Sequence, residues 1–171
     1  RPREKRATDI FTTDGKNYLV TIDYCSNFWE VDRLPNTKAS TTILKLKSHF
    51  ARYGIPDQVI SDNGCNLHLT SLPALQNMDF EHLTSSPGNS KANGRVWDED
   101  NLAHAEEINQ GGTDQYLAVL DYRNTPTQGM TTSPAQRLMS RRTKALLPTT
   151  QSLLLPKNIN LESEKKGLRQ R

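Results

Sequence analysis

Alternating apolar and polar positions dominate the first part of the chain. Residues 7–12, Ala-Thr-Asp-Ile-Phe-Thr, and residues 17–24, Asn-Tyr-Leu-Val-Thr-Ile-Asp-Tyr, are rich in β-branched and aromatic side chains, the pattern of half-buried strands. Asp14-Gly15 lies between them and is a hairpin signal, because both central positions of a tight primed turn need positive φ. After Ser26-Asn27 a third strand is predicted from Trp29 to Leu34, closed by Pro35-Asn36. Three strands joined by tight turns make an antiparallel meander.

The period then lengthens. Ala39, Ile43, Leu46 and Phe50 fall on one helical face, with Lys38, Lys45, Lys47 and Arg52 mostly elsewhere on the wheel. Thr37 is the predicted N-cap, and Gly54 followed by Pro56 the stop. Gln58 to Ser61 reads as a short strand running into Asp62-Asn63-Gly64. A weak helix is predicted over 70–77, limited by Pro73, and a fifth strand over 80–84. The remainder reads as helical. One helix is expected over 95–109, closed by Gly111-Gly112. A second starts at Thr113 and carries Tyr116, Leu117, Val119 and Leu120 as far as Asn124, and a short third begins at Ser133-Pro134. Beyond Pro148 no period persists. The expected organisation is a domain over 1–148 and a basic, disordered tail over 149–171. The element order implies an α/β fold, a five-stranded mixed sheet flanked by helices.

Composition qualifies this picture. The apolar fraction of 34%, even with the nine glycines added, lies below the roughly 45–50% of ordinary globular chains, so a core is affordable but parts of the chain lie outside it. The net charge of +3 hides an uneven distribution: residues 1–6 and 140–171 are basic, and residues 7–139 carry ten bases against sixteen acids. Basic ends can gather anions, although a solvated basic tail explains the same numbers. Cys25 and Cys65 have no metal or redox spacing, and the four histidines are scattered, as surface or core residues would be. No apolar run approaches the length of a membrane span, which sets the expectation of a soluble intracellular protein with no membrane and no small-molecule cofactor.

Two carboxylates stand out. Asp9 lies in the middle of the first strand, and Asp62 at the end of the fourth, beside a glycine that permits a sharp turn. If those strands are neighbours, both carboxylates share one crevice, the arrangement a pair of hard divalent cations needs at a phosphodiester. Taken alone, Asp-Asn-Gly after a strand is more often simply a turn.

Several motifs occur in order: Arg-Ala-Thr-Asp9-Ile-Phe, the strand from Asn17 to Tyr24, Phe50-Ala-Arg-Tyr-Gly-Ile-Pro-Asp57, Ser61-Asp-Asn-Gly64, Ser86-Pro87 with Asn93-Gly94, Tyr122-Arg-Asn-Thr-Pro126 and Ser133-Pro-Ala-Gln-Arg-Leu-Met139. Together they resemble the integrase catalytic core of gypsy-type LTR retrotransposons and, more distantly, of retroviruses, over roughly residues 2–150. The resemblance implies an RNase H-like fold and a DDE-type polynucleotidyl transferase that uses Mg²⁺ or Mn²⁺ for DNA integration. It also implies DNA as partner, a homodimer and a nuclear location. Asp9 and Asp62 match the first two metal-binding carboxylates, Asp23 a structural position, and Lys91, Asn93 and Arg95 a DNA-contacting loop.

The third carboxylate departs from that pattern. Trp97 occupies the position of the family's glutamate, and an indole has one N–H donor and no lone pair for a metal. Asp98, Glu99 and Asp100 follow at once. Each helical step turns a side chain by about 100°, and Asp98 is the nearest candidate substitute because its spacing from Asp62 is the family's usual one. Cys65-Asn66-Leu67, Asn89-Ser90-Lys91, Arg3 and Arg6 also depart from the family pattern. The acids after Trp97, with Glu106 and Glu107, oppose phosphate. Three readings follow: an integrase core by descent with impaired catalysis, a repurposed non-catalytic DNA- or protein-binding domain in a host protein, and an RNase H-type nuclease. The last needs a fourth carboxylate that the sequence does not supply.

Overall fold

A computed structural model describes residues 2–62, 78–85, 114–127 and 129–161. The expected helices over 70–77 and 95–109, the proposed cap Thr113, and Cys65, Lys91, Asn93, Arg95, Trp97 and Asp98 lie outside the described residues.

The meander forms as its alternation requires. Strands β1 (Lys5–Thr13), β2 (Lys16–Asp23) and β3 (Trp29–Leu34) pair antiparallel in sequence. The β1–β2 turn has positive φ at both Asp14 (50°) and Gly15 (67°), the geometry of a primed two-residue hairpin. Phe11 and Tyr18 face each other across the ladder and stack with centroids 5.5 Å apart.

Helix α1 (Ala39–Tyr53) ends at Gly54, whose φ of 88° and N–H bond to the Phe50 carbonyl make the stop that the sequence predicts. Its start differs from expectation. The N-cap residue is Lys38, with no side-chain cap. Asn36 supplies the acceptor instead: its Oδ1 takes the Lys38 N–H at 3.1 Å and the Thr41 hydroxyl at 2.8 Å. A side-chain amide two residues upstream of Lys38 thus takes one backbone N–H and one hydroxyl at the helix start.

The chain then adds β4 (Gln58–Asp62) and β5 (Glu81–Ser85), both parallel, to the free side of β1, giving the order β3-β2-β1-β4-β5. Each face buries its own cluster. Ala7, Phe11, Tyr18, Val20, Ile22 and Trp29 pack against Ala118, Val119 and Tyr122 of helix α2 (Gln115–Asn124). Leu19, Leu34 and Val59 pack against Ile43, Leu46 and Phe50 of α1. Burial of a side chain of this size is worth roughly 1.5–3 kcal/mol, so helices on both faces are what makes the mixed sheet stable.

Helix α2 is capped by Asp114 and not, as expected, by Thr113: the Asp114 carboxylate accepts the Tyr116 N–H at 2.9 Å. Helix α3 (Pro134–Met139) begins at Ser133 with a complete capping box to Gln136 and proline in its first turn. Past Pro148, where no period predicts an element, one helical turn forms as α4 (Gln151–Leu154). Two backbone bonds, Arg142 N–H to Leu153 O and Lys157 N–H to Ser140 O, both 2.8 Å, close this segment onto the end of α3. Such pairing depends on partners more than ten residues away and leaves no periodic trace in sequence. Among the described residues, no helix is long and apolar enough to cross a membrane.

Candidate active site

The site is built on the central parallel pair. β1 and β4 are hydrogen-bonded neighbours, in register from Lys5 opposite Gln58 to Thr8 opposite Ser61. Asp9 and Asp62 are the next residue of each strand, so the two positions lie side by side at about the 4.8 Å spacing of neighbouring strands. Asp62 is the last residue of β4 and pairs with Ser85 on its other side. In open α/β sheets the carboxyl ends of parallel strands are where ligand crevices form.

Asp9 is 2% exposed, in the row of β1 that also carries Ala7 and Phe11 toward α2. Its Oδ1 accepts the N–H of Ile10 at 2.7 Å. Below it the strand is fixed by the Thr8 hydroxyl, which donates to the Val20 carbonyl at 3.0 Å. Ser61, fully buried, lies 2.9 Å through its hydroxyl from Nε2 of His82 on β5, which ties down the strand end immediately before Asp62. Hard divalent cations take carboxylate oxygens, and two acid-bearing residues at one register fit part of such a donor set. Among the described residues no group of three His, Cys, Asp or Glu side chains is placed to hold a metal ion.

Asp23 stands apart, as expected of a structural residue. Its Oδ1 accepts the amides of Cys25 (3.2 Å) and Ser26 (2.7 Å) and the Ser26 hydroxyl (2.6 Å), while Oδ2 takes the Arg3 amide. It is the organiser of the β2–β3 turn, where Asn27 adopts a φ of 56°.

Two motif arginines hold the same turn from outside. Arg123 donates through Nε and Nη2 to the Trp29 carbonyl (3.2 and 3.0 Å) and lies 4.4 Å over the Phe28 ring. Arg137 donates through Nε to the Ser26 carbonyl at 2.8 Å and through Nη2 to the Thr127 hydroxyl at 2.8 Å. Burial lowers the Arg123 pKa, with the nearby Tyr53 and Glu30 acting in the opposite sense. Arg6 is also buried, lies 5.6 Å from the Phe50 ring centroid, and has its pKa lowered by burial against the opposing pull of Asp23 and Glu30. These arginines serve the core, and none is a surface cation for phosphate.

His49, expected with the other histidines to be a surface or core residue, is a core residue. It is 0% exposed, with Nδ1 2.9 Å from the Thr21 hydroxyl and Nε2 2.9 Å from Asp32 Oδ2. Arg52 pairs with Glu30 at 3.1 Å and Lys45 with Asp32 at 3.4 Å around it. A signal existed: position 49 lies three after Leu46 and beside Phe50, on the helix's apolar stripe.

No protein-family model matches the chain. The Caenorhabditis elegans protein named "Uncharacterized protein K02A2.6" is 32% identical over 152 residues, covering 84% of this chain and 12% of that protein. Among solved structures, a chain of the cryo-EM structure of the simian T-cell lymphotropic virus intasome in complex with PP2A regulatory subunit B56 gamma superposes with a TM-score of 0.68 at 17% identity. That match covers 88% of this chain and 59% of the other. The chain thus spans about an eighth of the curated relative and three fifths of the structural one. Its fold is RNase H-like, similar to the core of retroviral integrases, as the resemblance in sequence implies.

Proposed function

We propose that this chain is the catalytic-core domain of a gypsy-type retroelement integrase, built for polynucleotidyl transfer at Asp9 and Asp62 and impaired by Trp97. The observation that carries this reading is the β1–β4 ladder, in which Asp9 and Asp62 each follow the paired residues Thr8 and Ser61. Burial of Asp9 limits competition from water for its carboxylate. In this reading Asp9 and Asp62 hold Mg²⁺ or Mn²⁺. Such ions, when bound, lower the pKa of an attacking hydroxyl and stabilise the leaving oxygen.

Trp97 offers the metals no oxygen, and Asp98 is the one substitute whose spacing from Asp62 suits the family. Lys91, Asn93 and Arg95 supply the DNA contacts in this reading, opposed by the acids from Asp98 to Asp100 and by Glu106 and Glu107. A homodimer and a nuclear location belong to the same proposal. Trp97 also favours a second reading, a repurposed domain that binds DNA or protein without catalysis.

Disintegration, the least demanding reaction of such cores, tests the proposal with Mg²⁺ or Mn²⁺ and a branched DNA substrate. The expected result is little or no activity in the native chain and a gain in Trp97→Glu that Asp9→Asn abolishes. Native activity that disappears in Asp98→Ala would show that the third carboxylate is displaced and not lost. Persistent inactivity of Trp97→Glu, with its fold intact, would favour the non-catalytic reading.

A further inference from the structure

The segment after α3 combines two features that the active-site proposal does not use. Leu146, Leu147 and Leu155 are 76%, 71% and 58% exposed, which is half of the large apolar side chains so exposed among the described residues. Isolated exposed leucines are ordinary, but a concentration within ten residues is not. The same region has no counter-charge: from Tyr122 to Leu161 there is no aspartate or glutamate. Arg141, Lys144 and Lys157 are exposed beside the leucines in sequence, whereas Arg123 and Arg137 are consumed by the core.

The segment is held in shape. Asn124 and Thr143 bond each other twice, Asn124 Nδ2 to the Thr143 hydroxyl and the Thr143 N–H to Asn124 Oδ1, both at 2.8 Å. The Arg142–Leu153 and Ser140–Lys157 backbone bonds close the base, and Arg142 Nε donates to Gln136 Oε1 at 3.3 Å. The lobe from 140 to 157 is therefore tied down at its base, which lowers the ordering entropy that opposes binding.

We propose that this lobe is a docking surface for an acidic amphipathic segment of another protein, with apolar side chains of that segment covering Leu146, Leu147 and Leu155 and its carboxylates meeting Arg141, Lys144 and Lys157. Charge complementarity selects the sign of the partner, and the leucines select its class. A phosphate backbone gives aliphatic side chains nothing to pack on, and interfaces with DNA are strongly polar, whereas an amphipathic helix supplies apolar anchors at three- and four-residue spacing. The proposal does not depend on whether the carboxylate site is active.

The test uses the full chain and a fluorescent helical peptide with leucine at i, i+3, i+4 and i+7 and glutamate elsewhere on that face. A peptide of identical composition with the pattern scrambled, and a DNA duplex, serve as comparisons. Expected is saturable binding of the patterned peptide, weakened about tenfold or more, equivalent to 1.4 kcal/mol, by Leu146→Ser with Leu147→Ser and again by Arg141→Glu with Lys144→Glu. The substituted side chains are largely on the surface, and circular dichroism checks that the variants stay folded. Equal binding of the scrambled peptide, duplex binding that survives the leucine substitutions and competes the peptide away, or no saturable binding of the patterned peptide would each overturn the proposal. A shift to dimer caused by these leucines alone, with no peptide binding, would assign the surface to a second copy instead.

Discussion

His49 and Asp32 form a hydrogen bond of 2.9 Å between the α1 helix and the edge strand β3, with the imidazole fully enclosed. Because a carboxylate only accepts, Nε2 must carry the proton. The other ring nitrogen meets the Thr21 hydroxyl, so one side chain links two strands and a helix.

This bond sets a pH dependence. The Asp32 pKa is lowered from 3.8, chiefly by the hydrogen bond from His49, against the opposing effect of burial, with further help from the charges of His49 and Lys45. A carboxylate with a depressed folded pKa contributes stability that is fully present above its unfolded value and lost as pH falls through the folded one. Urea midpoints are therefore expected to fall as pH drops below about 4, and Asp32→Asn should flatten part of that decline. An unchanged acid limb in Asp32→Asn would contradict the assignment.

His49→Ala leaves a cavity and strips Thr21 and Asp32 of a buried partner. Large-to-small changes and stranded polar groups together cost about 2–4 kcal/mol. Equilibrium denaturation should show that loss, and a loss below about 1 kcal/mol would mean that the site relaxes around the change.

The two buried aspartates of β1 and β2 should behave oppositely. Asp23→Asn weakens acceptors for three amides and a hydroxyl, at a cost of about 2–3 kcal/mol, yet leaves any cation-induced rise in melting temperature intact. Asp9→Asn should remove the rise produced by Mn²⁺ while costing little stability. Thermal unfolding with and without Mn²⁺ separates the two roles; loss of the Mn²⁺ response in Asp23→Asn with normal stability would reverse the assignment.

Ser133→Ala removes the reciprocal cap of α3, which packs Ala135 and Leu138 on Phe28. The expected cost is about 1 kcal/mol, read from urea denaturation. Gln136→Ala, which removes the other half of the box, should cost a similar or smaller amount.

Much of the fold is legible in local pattern. The period-two runs around Tyr18 and Trp29, the positive-φ turn at Asp14-Gly15, the stop at Gly54 and the Ser133-Pro134 start all depend on residues within a few positions of each other, so the chain alone determines them. Asp9 and Asp62 could also be singled out, but only as residues in separate strands. Their adjacency required β4 to enter the sheet beside β1, where Val59 packs with the α1 side chains and Ile60 is buried. The fates of Arg6, His49, Arg123 and Arg137 were decided only in three dimensions. A charged or titratable side chain reads the same in sequence whether solvated or buried, and its role depends on partners such as Glu30, Asp32, Trp29 and Ser26 that the fold brings from up to 111 residues away.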